Sequence, residues 1–478
     1  MNTNKYQILA VDDEQEMREE LNAILKDDFI VTTANDGEAG LKQLIKNDFD
    51  IAIIDLKMPK MDGLELIKQI KAKNIQIPLV LLTGKGGVQD AFEASKLGVD
   101  KWVEKSSLNI DDFIKILLEL VQKIPDYHST YHSTVKTLTL KNFTAFSNET
   151  FEFSPQLNIF IGENATGKTH ILKSCYATLS AVAERNLVDI NPDLGTLNVD
   201  LSDKFFRVFR PDFLNNLIRY QQEQAEIQLS FENPECDLQL FLQKKEDKIQ
   251  LQHLPAKYIN KTPVYISTRE MLGIYQNFQA IYDKHYMRLD ETWRDVCVAL
   301  GGLELRQIDE RLQTIVNKIE EFIGGKLELD KNGNFYLNTP QKGRLEAQLI
   351  SEGQRKLAML SRLIQTNALQ NGYLFWDEPE ANLNPHFIKE IAPILLELSK
   401  HGVQVFIATH SLFLLREIEI CLTEEQYKKV QVRWFGLQLD KETNNTVVTQ
   451  ANDIDDIGDI TASEEQLMQS VRFMRSNR

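Results

Sequence analysis

Eight consecutive residues, GENATGKT, carry the most explicit chemistry in the chain. Gly162, Glu163, Asn164, Ala165, Thr166, Gly167, Lys168 and Thr169 fill a G-x-x-x-x-G-K-[ST] phosphate-binding loop at every defining position. Gly162 and Gly167 permit a tight backbone whose N–H groups turn towards phosphate oxygens. Lys168 has the reach for β- and γ-phosphates, and the Thr169 hydroxyl suits Mg²⁺. Further along, an apolar run at 372–376 ends in Asp377-Glu378-Pro379. An Asp there suits Mg²⁺ opposite Thr169, and Glu378 suits the base or positioner of an attacking water. A second apolar run, 403–408, ends in Thr409-His410-Ser411, which places His410 where it can sense or stabilise a γ-phosphate. Between these lies LISEGQRK, 349–356. Ser351 and Gln354 have capping-box spacing, so a helix starts there, and Gly353 lets a phosphate approach the backbone.

A separate acidic set stands near the N-terminus. Asp12 and Asp13 follow one apolar run and Asp55 follows another; Thr83 ends a third and Lys105 follows a fourth. Carboxylates converging on one rim repel one another and demand a cation.

These groups need elements to hold them. Over residues 1–126, strand-like runs at 6–11, 29–33, 51–54, 78–82 and 101–103 alternate with amphipathic stretches, the last at 111–123. Five βα units predict a doubly wound, flavodoxin-like parallel sheet, with its ligands at the carboxyl ends of the strands. Single acids outside the rim, such as Asp36 and Asp90, are expected to be solvated. Residues 124–134 contain YHST twice and form an exposed connector; His128 and His132 lack the partners of a metal site. Beyond it, 135–140 and 150–153 read as paired edge strands leading into a strand at 157–161, the phosphate loop and a helix at 170–183. Strand patterns at 226–231, 238–242 and 263–267 and a charged helix at 304–322 give a mixed α/β insert over about 184–345. Phe143 and Phe146 are candidates to stack on adenine, though core burial is the plainer expectation. Arg269 faces either a phosphate or solvent.

The first segment resembles the receiver domain of bacterial response regulators, through DLKMPKMDG at 55–63 with Asp12, Asp13, Thr83 and Lys105 in register. The resemblance implies that Asp55 accepts a phosphoryl group from a histidine kinase. It implies Mg²⁺ on Asp12, Asp13 and Asp55 with the Lys57 carbonyl, and a switch formed by Thr83, Trp102 and Lys105. Trp102 stands where Tyr or Phe is usual, and Ser106 where proline is usual.

The order of motifs after the connector resembles ABC-type ATPases of the SMC, RecF and OLD-like group, often labelled AAA. That resemblance implies an ATP-dependent homodimer sandwiching two ATP molecules, each with Mg²⁺ on Thr169 and Asp377. Within a protomer, Lys168, Glu378 and His410 act on ATP. Ser351, Gly353 and Gln354 reach the ATP held by the partner. Glu352 departs from the usual Gly of that signature. Gln276 and Gln279 are candidates for a glutamine lid. The expected domains are a receiver at 1–124, a linker at 125–134 and an ATPase at 135–478.

Composition sets the limits. Hydrophobic content of 42% with 26% charged is that of a globular protein. No apolar run approaches the roughly 18–20 residues of a membrane span, and the N-terminus lacks a signal-peptide layout, so cytoplasm is the expected location. Net charge is −16, which supplies no bulk attraction for nucleic acid; a local basic groove stays open. Cys175, Cys236, Cys297 and Cys421 are scattered, against a zinc or disulfide framework. The chemistry expected is ATP hydrolysis under phosphorylation control. A nucleotide-gated scaffold recruiting an effector protein and a chromosome-associated or DNA-repair ATPase are the alternatives.

Overall fold

The computed structural model describes residues 6–72 apart from 27 and 48, then 77–83, 99, 101–105, 110–122, 134–188 and 193–302 apart from 260, 277 and 286–288. It further describes 304–305, 308–440, 442, 445–458, 472 and 475. The connector histidines, Ser106 and Asp90 lie outside these. Contacts divide the chain into two units, 1–130 and 131–478.

In the first unit, β1 (Tyr6–Val11), β2 (Phe29–Ala34), β3 (Ile51–Asp55), β4 (Leu79–Thr83) and β5 (Lys101–Glu104) form a parallel sheet in the order β2-β1-β3-β4-β5. Successive side chains point to opposite faces, so a strand buried on both sides must be apolar at every position. Leu9, Val11, Ala52, Ile54 and Leu81 enter one core layer, while Ile8, Ala10, Ile51, Ile53 and Val80 enter the other. Four strands end one residue later than the sequence predicts, which makes Asp55 and Thr83 the last residues of β3 and β4. Asp36 is not solvated. It is 6% exposed, caps the helix Gly37–Lys46 by accepting from Ala39 N, and pairs with Lys60 at 2.5 Å. The orphan N–H groups of a helix start draw it inward.

The second unit is built on a six-stranded sheet. Its strands β8 (Leu157–Gly162), β12 (Val264–Ile266), β16 (Tyr373–Asp377), β17 (Gln404–Thr409), β18 (Val432–Leu439) and β19 (Thr446–Ala451) run in the order β12-β16-β17-β8-β18-β19. All neighbours are parallel except β18 and β19. Again the period of two assigns the faces. Leu157, Ile159, Ile161, Leu374, Trp376, Val405 and Ile407 pack under the helices Glu352–Gln365, Pro385–Lys400 and Leu412–Thr423. Phe160, Phe375, Phe406, Ala408 and Phe435 face the helix Lys168–Val188 and a second sheet. Stacked pairs Phe160–Phe435 at 4.6 Å and Phe375–Phe406 at 4.7 Å run across that layer.

The second sheet has the order β11-β10-β9-β6-β7, from β6 (Val135–Phe143), β7 (Phe146–Glu152), β9 (Gln224–Phe231), β10 (Leu238–Gln243) and β11 (Ile249–Leu251). Of the two strands expected at an edge, β7 is there and β6 is not, because β9 pairs along its other side. Phe143 and Phe146 are both fully buried, so core packing claims them and neither offers a ring to adenine. A hairpin of β13 (Lys326–Leu329) and β14 (Phe335–Thr339) extends through β15 (Gly343–Glu346) into a three-stranded sheet, β13-β14-β15. All four cysteines are buried. Among the described residues no helix is long and apolar enough to cross a membrane.

Candidate functional site

Two rims carry the predicted residues, one in each unit. In the first unit, β1 and β3 deliver Asp12 and Asp55 side by side, 0% and 5% exposed. Lys105 Nζ lies 2.8 Å from Asp12 Oδ2 and 2.6 Å from Asp55 Oδ1. Burial disfavours the ammonium, yet its bonds to Asp12 and Asp55 hold the Lys105 pKa above its usual value. Burial raises the Asp55 pKa, with Lys105 opposing and Asp12 adding. Lys57 N donates to Asp55 Oδ2 at 3.0 Å. Asp13 is exposed beside them. Thr83 is fully buried, and its Oγ1 has no hydrogen-bond partner. A buried hydroxyl without a partner is costly and calls for a group to satisfy it. Trp102 lies on β5 opposite Leu81.

No group of three or more His, Cys, Asp or Glu among the described residues is gathered as a metal cluster. Lys105 stands between two of the three carboxylates instead. The donor set, all oxygen and mostly carboxylate, fits a hard cation such as Mg²⁺.

In the second unit the loop 162–169 turns from β8 into the helix Lys168–Val188. Ala165 at φ 66° and Gly167 at φ 96° make the left-handed turns. A Cβ at Gly167 would sit 2.7 Å from the Phe146 ring, so packing as well as φ demands glycine there. Lys168 folds over its own loop, donating to Gly162 O at 2.7 Å and Glu163 O at 2.8 Å. Burial lowers its pKa, while Glu378, Asp377 and Glu380 hold the charge.

The parallel register brings the other strand ends to this loop. Thr169 Oγ1 donates to Asp377 Oδ2 at 2.8 Å. Burial raises the Asp377 pKa, the Thr169 bond opposes, and Glu378 adds. Glu378 takes φ 49°, with its N–H donating to Ala408 O at 2.8 Å. Its Oε1 lies 3.2 Å from His410 Nδ1. A phosphate-loop Lys and Thr, two adjacent carboxylates and a histidine thus share one rim. Thr169 and Asp377 fit a hard cation by donor type and proximity.

Ser351 caps the helix Glu352–Gln365 in a full capping box with Gln354. Ser351 is exposed, and nearby Leu349 is 72% exposed. Gln354 Nε2 also donates to Ile323 O at 2.9 Å. A Cβ at Gly353 would meet the Phe387 ring at 2.8 Å, so helix packing alone requires this glycine. Glu352 accepts from Asn382 Nδ2 at 3.1 Å, tying the helix to the loop after Glu378. Arg269 is exposed and lies over the Trp293 ring at 5.9 Å. Gln276 is exposed, and the Gln279 side chain lies outside the description.

Three buried groups escaped the sequence reading. Glu380 accepts from Thr409 Oγ1 at 2.6 Å and from His410 N at 3.4 Å. Lys356, fully buried, donates to Ala381 O at 2.5 Å. Tyr265 OH donates to Asp377 Oδ2 at 3.3 Å. Glu380 was visible as the third acid of DEPE. Tyr265 was visible only as one position of a short strand.

Together the two rims define a P-loop ATPase joined to a response-regulator receiver. Residues 157–416 match the family described as "AAA domain, putative AbiEii toxin, Type IV TA system", and the chain belongs to that family. Residues 8–117 match the response regulator receiver domain. The chain is similar to the transcriptional regulatory protein FixJ of Bradyrhizobium diazoefficiens, 39% identical over 104 residues, covering 22% of this chain and 51% of FixJ. It is also similar to RprY of Bacteroides fragilis, 41% identical over 70 residues, covering 15% of this chain and 30% of that protein. The chain thus spans about half the length of FixJ and less of RprY. Among solved structures, an SMC head bound to the C-winged helix domain of ScpA aligns at 13% identity and a TM-score of 0.42. That alignment covers 66% of this chain and 97% of the head.

Proposed function

We propose that phosphoryl transfer to Asp55 controls ATP-dependent pairing and ATP hydrolysis by the second unit. The observation that carries this reading is that one chain holds both the Asp12–Asp55–Lys105 rim and the phosphate-loop rim of Lys168, Thr169 and Asp377. The receiver is assigned to 1–124, the connector to 125–134 and the ATPase to 135–478. A histidine kinase supplies the phosphoryl group. An Asp55 carboxylate oxygen attacks phosphorus, the bond to the donor's histidine nitrogen breaks, and Lys105 and Thr83 then turn to the new phosphoryl oxygens. Asp12, Asp13 and the Lys57 carbonyl hold Mg²⁺ there, which offsets phosphate charge.

In the ATPase, Lys168 leaves its two carbonyls for the β- and γ-phosphates of ATP. Thr169 and Asp377 hold Mg²⁺. Glu378 orients or deprotonates the water that displaces ADP, and His410 faces the γ-phosphate. Ser351 and Gly353 of one protomer meet the ATP of its partner. The exposure of Ser351 at the start of that helix, with its positive dipole end, supports that reading. Gln354 stays within its own protomer, closing the cap.

The test compares ATP turnover and oligomer mass with and without beryllofluoride, an acyl-phosphate mimic, over a range of protein concentrations. The expected result is a change in both. Identical values throughout defeat the coupling while leaving the ATPase reading intact.

A further inference from the structure

Asp377 Oδ2 accepts two hydrogen bonds, from Thr169 Oγ1 at 2.8 Å and from Tyr265 OH at 3.3 Å. The two donors have different futures. A threonine oxygen that ligates a metal gives the cation a lone pair while its proton can stay on Asp377, so Thr169 serves two partners. Tyr265 has no such second task. Its ring is 2% exposed, on the short strand β12 that pairs with β16 directly beside Asp377.

The ring is also held. Tyr176, fully buried on the phosphate-loop helix, meets it edge-on at 5.3 Å. Tyr176 OH in turn donates to Asp295 Oδ2 at 2.7 Å, and Asp295 lies 3.1 Å from the buried Lys204 Nζ. The Tyr265 hydroxyl is therefore a fixed donor, braced from behind by the ring of a second tyrosine.

We propose that Tyr265 is a positioning residue for the metal of the ATPase site: it fixes Asp377 by one oxygen and so presents the carboxylate to Mg²⁺ in a single orientation. This rests on the ATPase reading above. Groups that orient a metal ligand from behind typically contribute about 10–100-fold in metal affinity.

The experiment measures binding of a fluorescent ATP analogue to the full chain while Mg²⁺ is titrated, so turnover is not the readout. Wild type, Tyr265→Phe and Tyr176→Phe are compared. Tyr265→Phe keeps the ring, and so the packing on Tyr176, and loses only the donor. The expected result is about a tenfold rise in the Mg²⁺ concentration that half-maximally tightens binding, with metal-free affinity unchanged. Tyr176→Phe, which leaves the Tyr265 bond in place, should titrate like wild type. An unshifted Tyr265→Phe curve overturns the proposal, as does an equal shift in Tyr176→Phe, which would mean general loosening of this layer. Mn²⁺ supplied with ATP gives a second reading by electron paramagnetic resonance; identical spectra for wild type and Tyr265→Phe also overturn it. If wild type binds the analogue neither with nor without metal, the ATPase reading itself fails.

Discussion

Lys105 Nζ sits 2.6 Å from Asp55 Oδ1, so the carboxylate proposed as nucleophile is already paired with a cation. The same ammonium is shared with Asp12, and the neighbouring Thr83 hydroxyl has no partner. A phosphoryl group on Asp55 would give both side chains new acceptor oxygens.

The first prediction follows. Treated with acetyl phosphate and Mg²⁺, wild type gains one phosphoryl mass and Asp55→Ala gains none. Thr83→Ala is labelled, but its label leaves the ATPase output unmoved, because the hydroxyl reads the modification rather than accepting it. Intact-mass measurement decides; equal labelling of wild type and Asp55→Ala would falsify the assignment.

A second prediction concerns the composite ATP site. Lys168→Ala loses ATP binding, whereas Ser351→Arg still binds ATP but cannot close a pair. In a mixed dimer one interface collects both lesions and the other collects neither, so mixing restores part of the turnover. Glu378→Gln accumulates as an ATP-bound dimer, followed by light scattering. No rescue on mixing, together with a monomeric Glu378→Gln in both receiver states, sinks the two-protomer mechanism.

Gly353 supports a third. A methyl group there meets the Phe387 ring at 2.8 Å, and that ring already packs edge-on against Phe322 at 5.1 Å. Gly353→Ala is expected to cost about 1–3 kcal/mol, as overpacking does. Phe387→Leu added to it should return part of the lost melting temperature. Two additive losses would show that the glycine is needed for something other than this contact.

Lys261 gives a pH-dependent outcome. Burial lowers its pKa to about 8, and its Nζ donates to Asn367 O at 2.7 Å. Between that value and the ordinary one near 10.5, the unfolded chain binds the extra proton. Stability from this group is therefore full above about pH 10.5 and is lost as pH falls through 8. Lys261→Met should stabilise at pH 7 by about 1–2 kcal/mol, the desolvation relieved less the lost hydrogen bond. That gain should vanish by about pH 10. A constant difference from pH 7 to 10, measured by denaturant melts, would contradict the assignment.

Much of this was legible because the chemistry is local in sequence. The phosphate loop, the acid pairs at strand ends and the capping box of Ser351 and Gln354 are short patterns whose physics is complete within a few residues. What stayed hidden depends on pairing across the chain. That β6 is interior rather than an edge follows from β9, which joins it from about 80 residues later. Asp36 reads as a solvated acid until Lys60 and the helix start claim it. Gly353 invites a phosphate-contact reading, and only the Phe387 ring exposes its packing duty. Tyr265 needs the β12–β16 register before its hydroxyl means anything.

Lys168, folded onto the carbonyls of Gly162 and Glu163, makes nucleotide capture an exchange rather than an addition. The loop carries its own placeholder: two carbonyl dipoles occupy the cation until phosphates of greater charge replace them. A weak, singly charged anion has little to offer in that competition, whereas a polyphosphate brings several oxygens at once. A preference for a polyphosphate over a single small anion is in this sense expected before any base is recognised, from what the lysine must give up.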